Sequence, residues 1–319
     1  MHRRGPGHLG HLRGGRLSER TDPRPAAAGT LKVTRFSNVD DFLARAGDFL
    51  VAREAEHNLI FGLCTGIRVA PDAFDGTPYL AVVEDDARIL GAAVQTPPNN
   101  LVLSHFERAD ALTPLAGDLA ALGSALPGVF AERAPASEFA AAWTRRTGRR
   151  AALARRERIY QLVRVRAPTA VPGQLRQADA DDRALLIEWL GAFWREALGD
   201  DDVSDAPEMV DRWLRNGSGP RGYRRMYVWE DGEPVSMAGA GGATPNGIRI
   251  GPVYTPPRLR GRGYASACVA AVSQTYLDAG RRVCFLFTDL ANPTANHIYR
   301  EIGYEPVCDV DEYRFGPSR

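Results

Sequence analysis

From residue 253 the chain runs Val253-Tyr254-Thr255-Pro-Pro-Arg258-Leu-Arg260-Gly261-Arg262-Gly263-Tyr264-Ala265. A strand breaks on two prolines, crosses a loop with two closely spaced glycines and enters an amphipathic stretch. This order limits the fold more than any other feature of the sequence. Gly261 and Gly263 carry no side chains, so backbone amides can converge on one point, and a helix starting near Tyr264 adds unpaired amides and the positive end of its dipole. A pyrophosphate suits such a loop. Arg258, Arg260 and Arg262 bring positive charge to its oxygens, with reach to a further phosphate. Ala265, Cys268, Val269, Val272 and Tyr276 recur at the spacing of one helical face, so the helix has a side to bury.

The spacing R-x-x-G-x-G is a weak signal by itself, and a solvated turn has the same composition. Its surroundings strengthen it: an apolar strand leads in, an apolar run over 283–288 follows the helix, and a capped helix comes next. Gly261-x-Gly263 also opens the dinucleotide fingerprint, but Ser266 holds the third glycine position and no acid ends the next strand at the right distance, Asp289 coming late. Asn292 before Pro293 reads as an N-cap with proline in the first turn. Ala295, Ile298, Tyr299 and Ile302 share a face that Gly303 closes, so Tyr299 reads on its own as a core aromatic. Its pairing with Asn292, downstream of a glycine loop, adds a functional reading.

At 319 residues the chain is long for one domain, since ~100 to 200 residues per domain is usual. Either half is long enough to bury its own core. The first half reads strand (32–36), helix (40–54), shorter helix, then strands over 79–84 and 89–95. The second repeats the plan with a strand over 174–177, helices over 179–197 and 207–214, and strands over 225–230 and 233–239 about the turn Asp231-Gly232. The proline-bearing stretch 166–173 reads as the linker. Only the second half keeps the glycine loop; after a strand over 100–105 the first continues Phe106-Glu-Arg-Ala-Asp-Ala with no glycine until Gly117. Arg145, Arg146, Arg149, Arg150, Arg155, Arg156 and Arg158 form a basic run, read either as solvated surface or as a patch attracting an acidic acceptor.

Apolar residues make up 44% and charged residues 25%, an ordinary globular composition, and a formal charge of +1 gives no reason to expect nucleic acid. Residues 1–29, rich in Arg, Gly, His and Pro, are expected to be disordered. If the arginines did bind nucleic acid, the affinity would collapse with salt. Four scattered cysteines without a C-x-x-C pair point to a reducing, cytoplasmic setting, and no apolar stretch is long enough to span a membrane.

Taken together, the segment resembles the GNAT superfamily of acyl-CoA-dependent N-acetyltransferases. Arg258, Gly261 and Gly263 match its Q/R-x-x-G-x-G/A loop, Val253-Tyr254-Thr255 its strand end before a proline, and Asn292 and Tyr299 its downstream Asn and Tyr. The resemblance is full over 174–315 and weaker over 31–165. It implies an α/β (α+β) fold of two GNAT-like domains, each a mixed, mostly antiparallel twisted sheet flanked by helices. These would span 30–165, degenerate and lacking the cofactor loop, and 174–319, the catalytic domain.

The resemblance further implies acetyl-CoA as co-substrate. Val253 and Thr255 would bond its pantetheine arm where Gly251-Pro252 disrupts the strand, and an amide near Tyr254 would polarise the thioester. The amides and arginines from Arg258 to Ala265 would hold the pyrophosphate, Asn292 the arm, and the Tyr299 hydroxyl would meet the departing sulfur. The acceptor would be a primary amine of a small molecule, amino acid derivative or peptide. Glu230, Asp231, Glu233 and a water chain stay open as its base, and monomer and homodimer stay open as assemblies. An acyl-CoA-binding protein without catalysis is the alternative.

Overall fold

Asn38 begins the first helix by accepting the Asp41 amide at 2.8 Å, which satisfies one of the helix's free donors. The computed structural model describes residues 31–70, 74, 76–199, 201–216 and 224–318; the expected disordered stretch 1–29 lies outside them. The first half contains β1 (Leu31–Phe36), α1 (Val39–Val51), α2 (Asn58–Val69), β2 (Tyr79–Asp85), β3 (Arg88–Gln95), β4 (Leu101–Leu103), α3 (Leu112–Ala121), β5 (Gly128–Glu132), α4 (Arg133–Thr147) and β6 (Arg149–Leu162). The second half repeats that order: β7 (Gln174–Gln177), α5 (Arg183–Phe193), α6 (Ala206–Asn216), β8 (Arg224–Asp231), β9 (Glu233–Gly241), β10 (Gly247–Tyr254), α7 (Tyr264–Asp278), β11 (Val283–Asp289), α8 (Pro293–Glu301) and β12 (Glu305–Ser318). Gly232 has the positive φ, 74°, that the tight turn between β8 and β9 requires.

The strands of the described residues join one 12-stranded mixed sheet in the order β1-β2-β3-β4-β5-β12-β6-β11-β10-β9-β8-β7. Pairing is antiparallel except for β4 with β5 and β10 with β11. The two longest strands exchange places between the halves. β6, from the first half, lies between β11 and β12, and β12, from the second, lies between β5 and β6.

Because of the exchange the two cores on one face each take in residues of the other half, whereas on the opposite face each half buries a core of its own. Phe315 of β12 packs on Phe139 and Trp143 of α4, with ring centroids 6.5 and 5.9 Å apart. In return Tyr160 and Leu162 of β6 enter the core beneath α7. The cause is the long register of β6 against β12, from Gln161↔Glu305 to Arg149↔Ser318, which carries each strand onto the open edge of the other half.

The basic run is solvated surface only in part: Arg145, Arg146, Arg150 and Arg156 are exposed, while the central strand β6 brings the other three arginines into contacts. Arg149 donates to the carbonyls of Leu126 and Phe315, each at 2.6 Å, Arg155 pairs with Glu312 at 2.6 Å, and Arg158 pairs with Asp309 at 2.6 Å.

Helices α3, α4, α7 and α8 cover one face of the sheet, and α1, α2, α5 and α6 the other. On the second face the halves are clasped by Glu54, just beyond α1, which accepts the amide and the side-chain Nδ2 of Asn246, each at 2.7 Å. No helix among the described residues is long and apolar enough to cross a membrane.

Candidate functional site

Strands β10 and β11 run side by side only through Gly247↔Val283, Ile248↔Cys284 and Arg249↔Phe285. Beyond these pairs they part. β11 stays on β6 as far as Asp289↔Glu157, while β10 stays on β9 through Val253↔Ala238 and Tyr254↔Met237. The backbone of β10 that faces β11 past Arg249 therefore has no ladder partner among the described residues, and an extended chain can bond there.

The register of β10 against β9 shifts between Ile250 and Val253, where Gly251-Pro252 sits. One extra residue reverses the alternation of a strand. Ile248, Ile250 and Val253 thus pack under α7, and Tyr254 turns to the α5 side. There its ring lies 6.3 Å from Trp189 and its hydroxyl donates to Glu196 at 3.2 Å. Burial, with Glu196 adding to it, raises the Tyr254 pKa. Thr255 is buried, its hydroxyl 2.8 Å from that of Ser236.

The loop that follows makes a short turn at Pro257–Leu259 and enters α7 through Gly263. Gly261 and Gly263 have φ of 78° and 82°, in the left-handed region that favours glycine. Gly263 is the N-cap and offers no side chain to the helix. Among the described residues, the amides from Gly261 to Ser266 find no backbone acceptor. This is a concave set of donors at a helix N-terminus, a cradle that a Cβ at Gly261 would leave open and one at Gly263 would crowd, 2.9 Å from Val171 Cγ2.

The three arginines of the loop differ in their surroundings. Arg258 and Arg262 are exposed, Arg258 lying 3.8 Å from Glu233. Arg260 donates to the Thr255 carbonyl at 2.9 Å, pairs with Glu196 and sits over the Tyr254 ring at 5.7 Å. It fastens the loop to the turn of π-helix after α5, Trp194–Leu198. Tyr264 is buried and donates to Asp231 at 2.7 Å; Ala265 lies in the first turn of α7.

Asn292 caps α8 by accepting the Ala295 amide at 3.0 Å and remains exposed at the helix start. Tyr299 lies on the buried side of α8, its ring centroid 6.5 Å from Tyr160 and 6.0 Å from Tyr304. Burial pushes its phenol up to about 12, so it stays protonated at neutral pH. Among the described residues its hydroxyl forms no hydrogen bond, whereas Tyr160 donates to Asn296 at 3.0 Å and Tyr304 lies 2.9 Å from the Ser273 hydroxyl. Of the hairpin acids, Glu230 pairs with Arg176 and Asp231 is taken by Tyr264.

Sequence reasoning did not single out Glu196, because its role depends on the π-turn that swings it beneath Arg260. The corresponding place in the first half is built differently. β4 and β5 pair at Leu101↔Val129 and Val102↔Phe130, but His57 Nε2 accepts the His105 amide at 2.9 Å just beyond. Phe106 lies over Gly91 so closely that a Cβ there would sit 2.5 Å from its ring. Asp110, at the start of the helical turn before α3, is engaged by Arg108 at 2.6 Å.

The sequence profile of the acetyltransferase (GNAT) family matches residues 184–304. Over those residues, in the second half, the chain is thus similar to a family of acetyltransferases. No curated protein sequence matches the chain. Among solved structures, a GCN5-related N-acetyltransferase from Sphaerobacter thermophilus is 17% identical, with 91% of this chain and 97% of that one covered and a TM-score of 0.56. A tandem GNAT protein from the clavulanic acid biosynthesis pathway is 15% identical, covering 91% and 100% with a TM-score of 0.54. A GNAT-family acetyltransferase from Colwellia psychrerythraea is 11% identical, covering 89% and 99%, also at 0.54. These likenesses establish the fold.

Proposed function

We propose that the protein transfers an acetyl group from acetyl-CoA to a primary amine of a small molecule, an amino acid derivative or a peptide. One observation carries this reading: the unpaired amides from Gly261 to Ser266 lie directly after a strand that has parted from its neighbour. The amides would hold the pyrophosphate, with Arg258 and Arg262 beside it, and Arg260 would keep the loop in place through Glu196. Val253, Tyr254 and Thr255 would line the pantetheine arm as an added strand does, with Asn292 at its far side.

The acetyl carbonyl would meet backbone donors at the β10 bulge, which stabilise negative charge as it develops on oxygen. The Tyr299 hydroxyl, which forms no hydrogen bond among the described residues, would donate to the departing sulfur. A thiolate whose conjugate acid has a pKa of ~8.5 leaves readily with that help alone.

We also propose the division into a first copy over 30–165 and a second over 174–319, with acetyl-CoA held only by the second. His57, Phe106 and Asp110 fill or charge the first copy's equivalent space, which supports one site per chain. Calorimetric titration of acetyl-CoA into the full-length protein tests this. One site per chain, with thiol released on addition of amines, supports catalysis. One site without thiol release in any amine favours the acyl-CoA-binding alternative, and no binding overturns both.

A further inference from the structure

Residues 149–156 read Arg-Arg-Ala-Ala-Leu-Ala-Arg-Arg, two arginine pairs around four apolar residues. They form the first part of β6, and they have a strand on one side only. There β12 runs alongside from Ser318↔Arg149 to Asp311↔Arg156, with register shifts between Glu312 and Tyr313 and between Phe315 and Ser318. On the other side β11 pairs with β6 only from Leu162 back to Glu157, and the Leu290 amide adds a last bond to the Arg156 carbonyl at 3.0 Å. Before that bond, the outward amides and carbonyls of Ala151 to Arg155 find no partner among the described residues. The middle of the sheet thus contains a short open edge.

That edge is open to solvent and basic. Ala152, Leu153 and Ala154 are exposed in succession, Leu153 by 39%, so both faces of the segment reach water. Arg149 and Arg155 are engaged inside the protein, by backbone carbonyls and by Glu312. Arg150 and Arg156 are exposed and form no ion pair among the described residues. Arg145 and Arg146, in the last turn of α4, add to them. The neighbouring acids Glu157, Asp311 and Glu312 have side chains only 15%, 6% and 6% exposed, so the charge presented to solvent is positive.

An unpaired strand edge is a template for another extended chain, and charge on the edge decides which chain it accepts. A second copy of this protein is a poor occupant. Pairing two such segments in register, parallel or antiparallel, sets arginine pairs against arginine pairs, which is destabilising. Residues 1–30, with six arginines to two acids, are repelled in the same way. A nucleic acid satisfies the arginines but brings no donors in strand register for the edge carbonyls. We infer that residues 150–155 of β6 are a docking edge for an extended acidic peptide segment of a partner protein, added as a strand in line with β11. Backbone hydrogen bonds hold the segment, and Leu153 with its flanking alanines packs on its small side chains. Its carboxylates, roughly 20 Å apart along the strand, meet Arg150 and Arg156. This docking does not depend on acetyl transfer.

The test follows the fluorescence anisotropy of labelled peptides added to the full-length protein. One peptide alternates valine and threonine between a pair of glutamates at each end; a second carries proline at alternate positions; a third has lysines for the glutamates. The glutamate peptide is expected to bind and to slow hydrogen exchange of the amides within 150–155. The double variant Arg150→Glu, Arg156→Glu should melt as the wild type does, bind that peptide about tenfold more weakly or worse, and gain the lysine peptide. Arg215→Glu, exposed at the end of α6, serves as the unaffected control. Equal binding of the proline peptide overturns the inference, because charge alone then accounts for the affinity. So does an unchanged affinity in the double variant, or a glutamate peptide that does not bind. Tighter binding of a duplex oligonucleotide, falling steeply with salt, also overturns it. A protein that sediments as a dimer with these amides already protected overturns it in favour of a second copy.

Discussion

Tyr299 is held by packing alone, which separates its chemistry from its contribution to stability. Its ring fills a space against Tyr160 and Tyr304, and its hydroxyl has no partner among the described residues. Tyr299→Phe keeps the ring and removes no internal hydrogen bond, so thermal melting should change by less than about 0.5 kcal/mol equivalent. If the hydroxyl meets the sulfur, kcat falls about tenfold to a hundredfold at constant acetyl-CoA affinity, read by thiol release and titration on the same preparation. His57 works in the opposite way. Its Nδ1–H donates to the Leu50 carbonyl at 2.9 Å and its Nε2 accepts the His105 amide, so burial holds its pKa down at about 4 against an ordinary 6.5. The unfolded chain therefore takes up the proton first. His57's contribution is complete above pH 6.5 and declines as pH falls toward 4, by roughly 3 kcal/mol in all. Urea unfolding at pH 7 and pH 4.5 checks this: His57→Gln should be less stable at pH 7, where it leaves two backbone groups poorly paired, yet lose less than the wild type on acidification.

The glycine loop and α7 are the elements that the sequence displays most openly. Their signals are local: two glycines, a proline stop and a helical apolar stripe lie within a short stretch, and the structure places Gly263 at the N-cap and α7 from Tyr264. The bulge is only half visible. Gly251-Pro252 marks it, but the turning of Tyr254 to the other face depends on the register with β9, which no local pattern encodes. The two glycines should respond unequally to alanine. Gly261→Ala meets open space and only the strain of a positive φ, roughly 1 kcal/mol. Gly263→Ala suffers that strain and also presses on Val171 in the stretch between the halves, so its melting temperature should drop further. Parallel melts, with acetyl-CoA titrations of each variant, measure both effects. Because of Val171, a loss of binding at Gly263 has two possible causes, and Gly261 is the cleaner probe of the cradle.

Over the whole molecule, the repeated order of elements is legible because each element has its own periodicity, while the strand exchange is not. An arginine-rich segment such as 149–158 looks the same whether it is surface or the middle of a sheet; what decides is Asp309 and Glu312, far along the chain, which meet Arg158 and Arg155. Severing the chain within 166–173 tests the exchange. Expressed alone, each half lacks a strand that its core uses and should aggregate or self-associate; expressed together they should elute as a one-to-one complex in size-exclusion chromatography with light scattering. The exchange also sets an order on biosynthesis. β6 leaves the ribosome before either of its neighbours, β11 or β12, has been made, so the centre of the sheet must wait, unpaired, through the translation of everything between. A waiting strand invites association with other nascent chains, and closely spaced like charges are what natural sequences use to discourage it. The arginines of β6 would then serve the protein twice: as mutual repellents while the strand has no partners, and as ion-pair donors once Asp309 and Glu312 arrive.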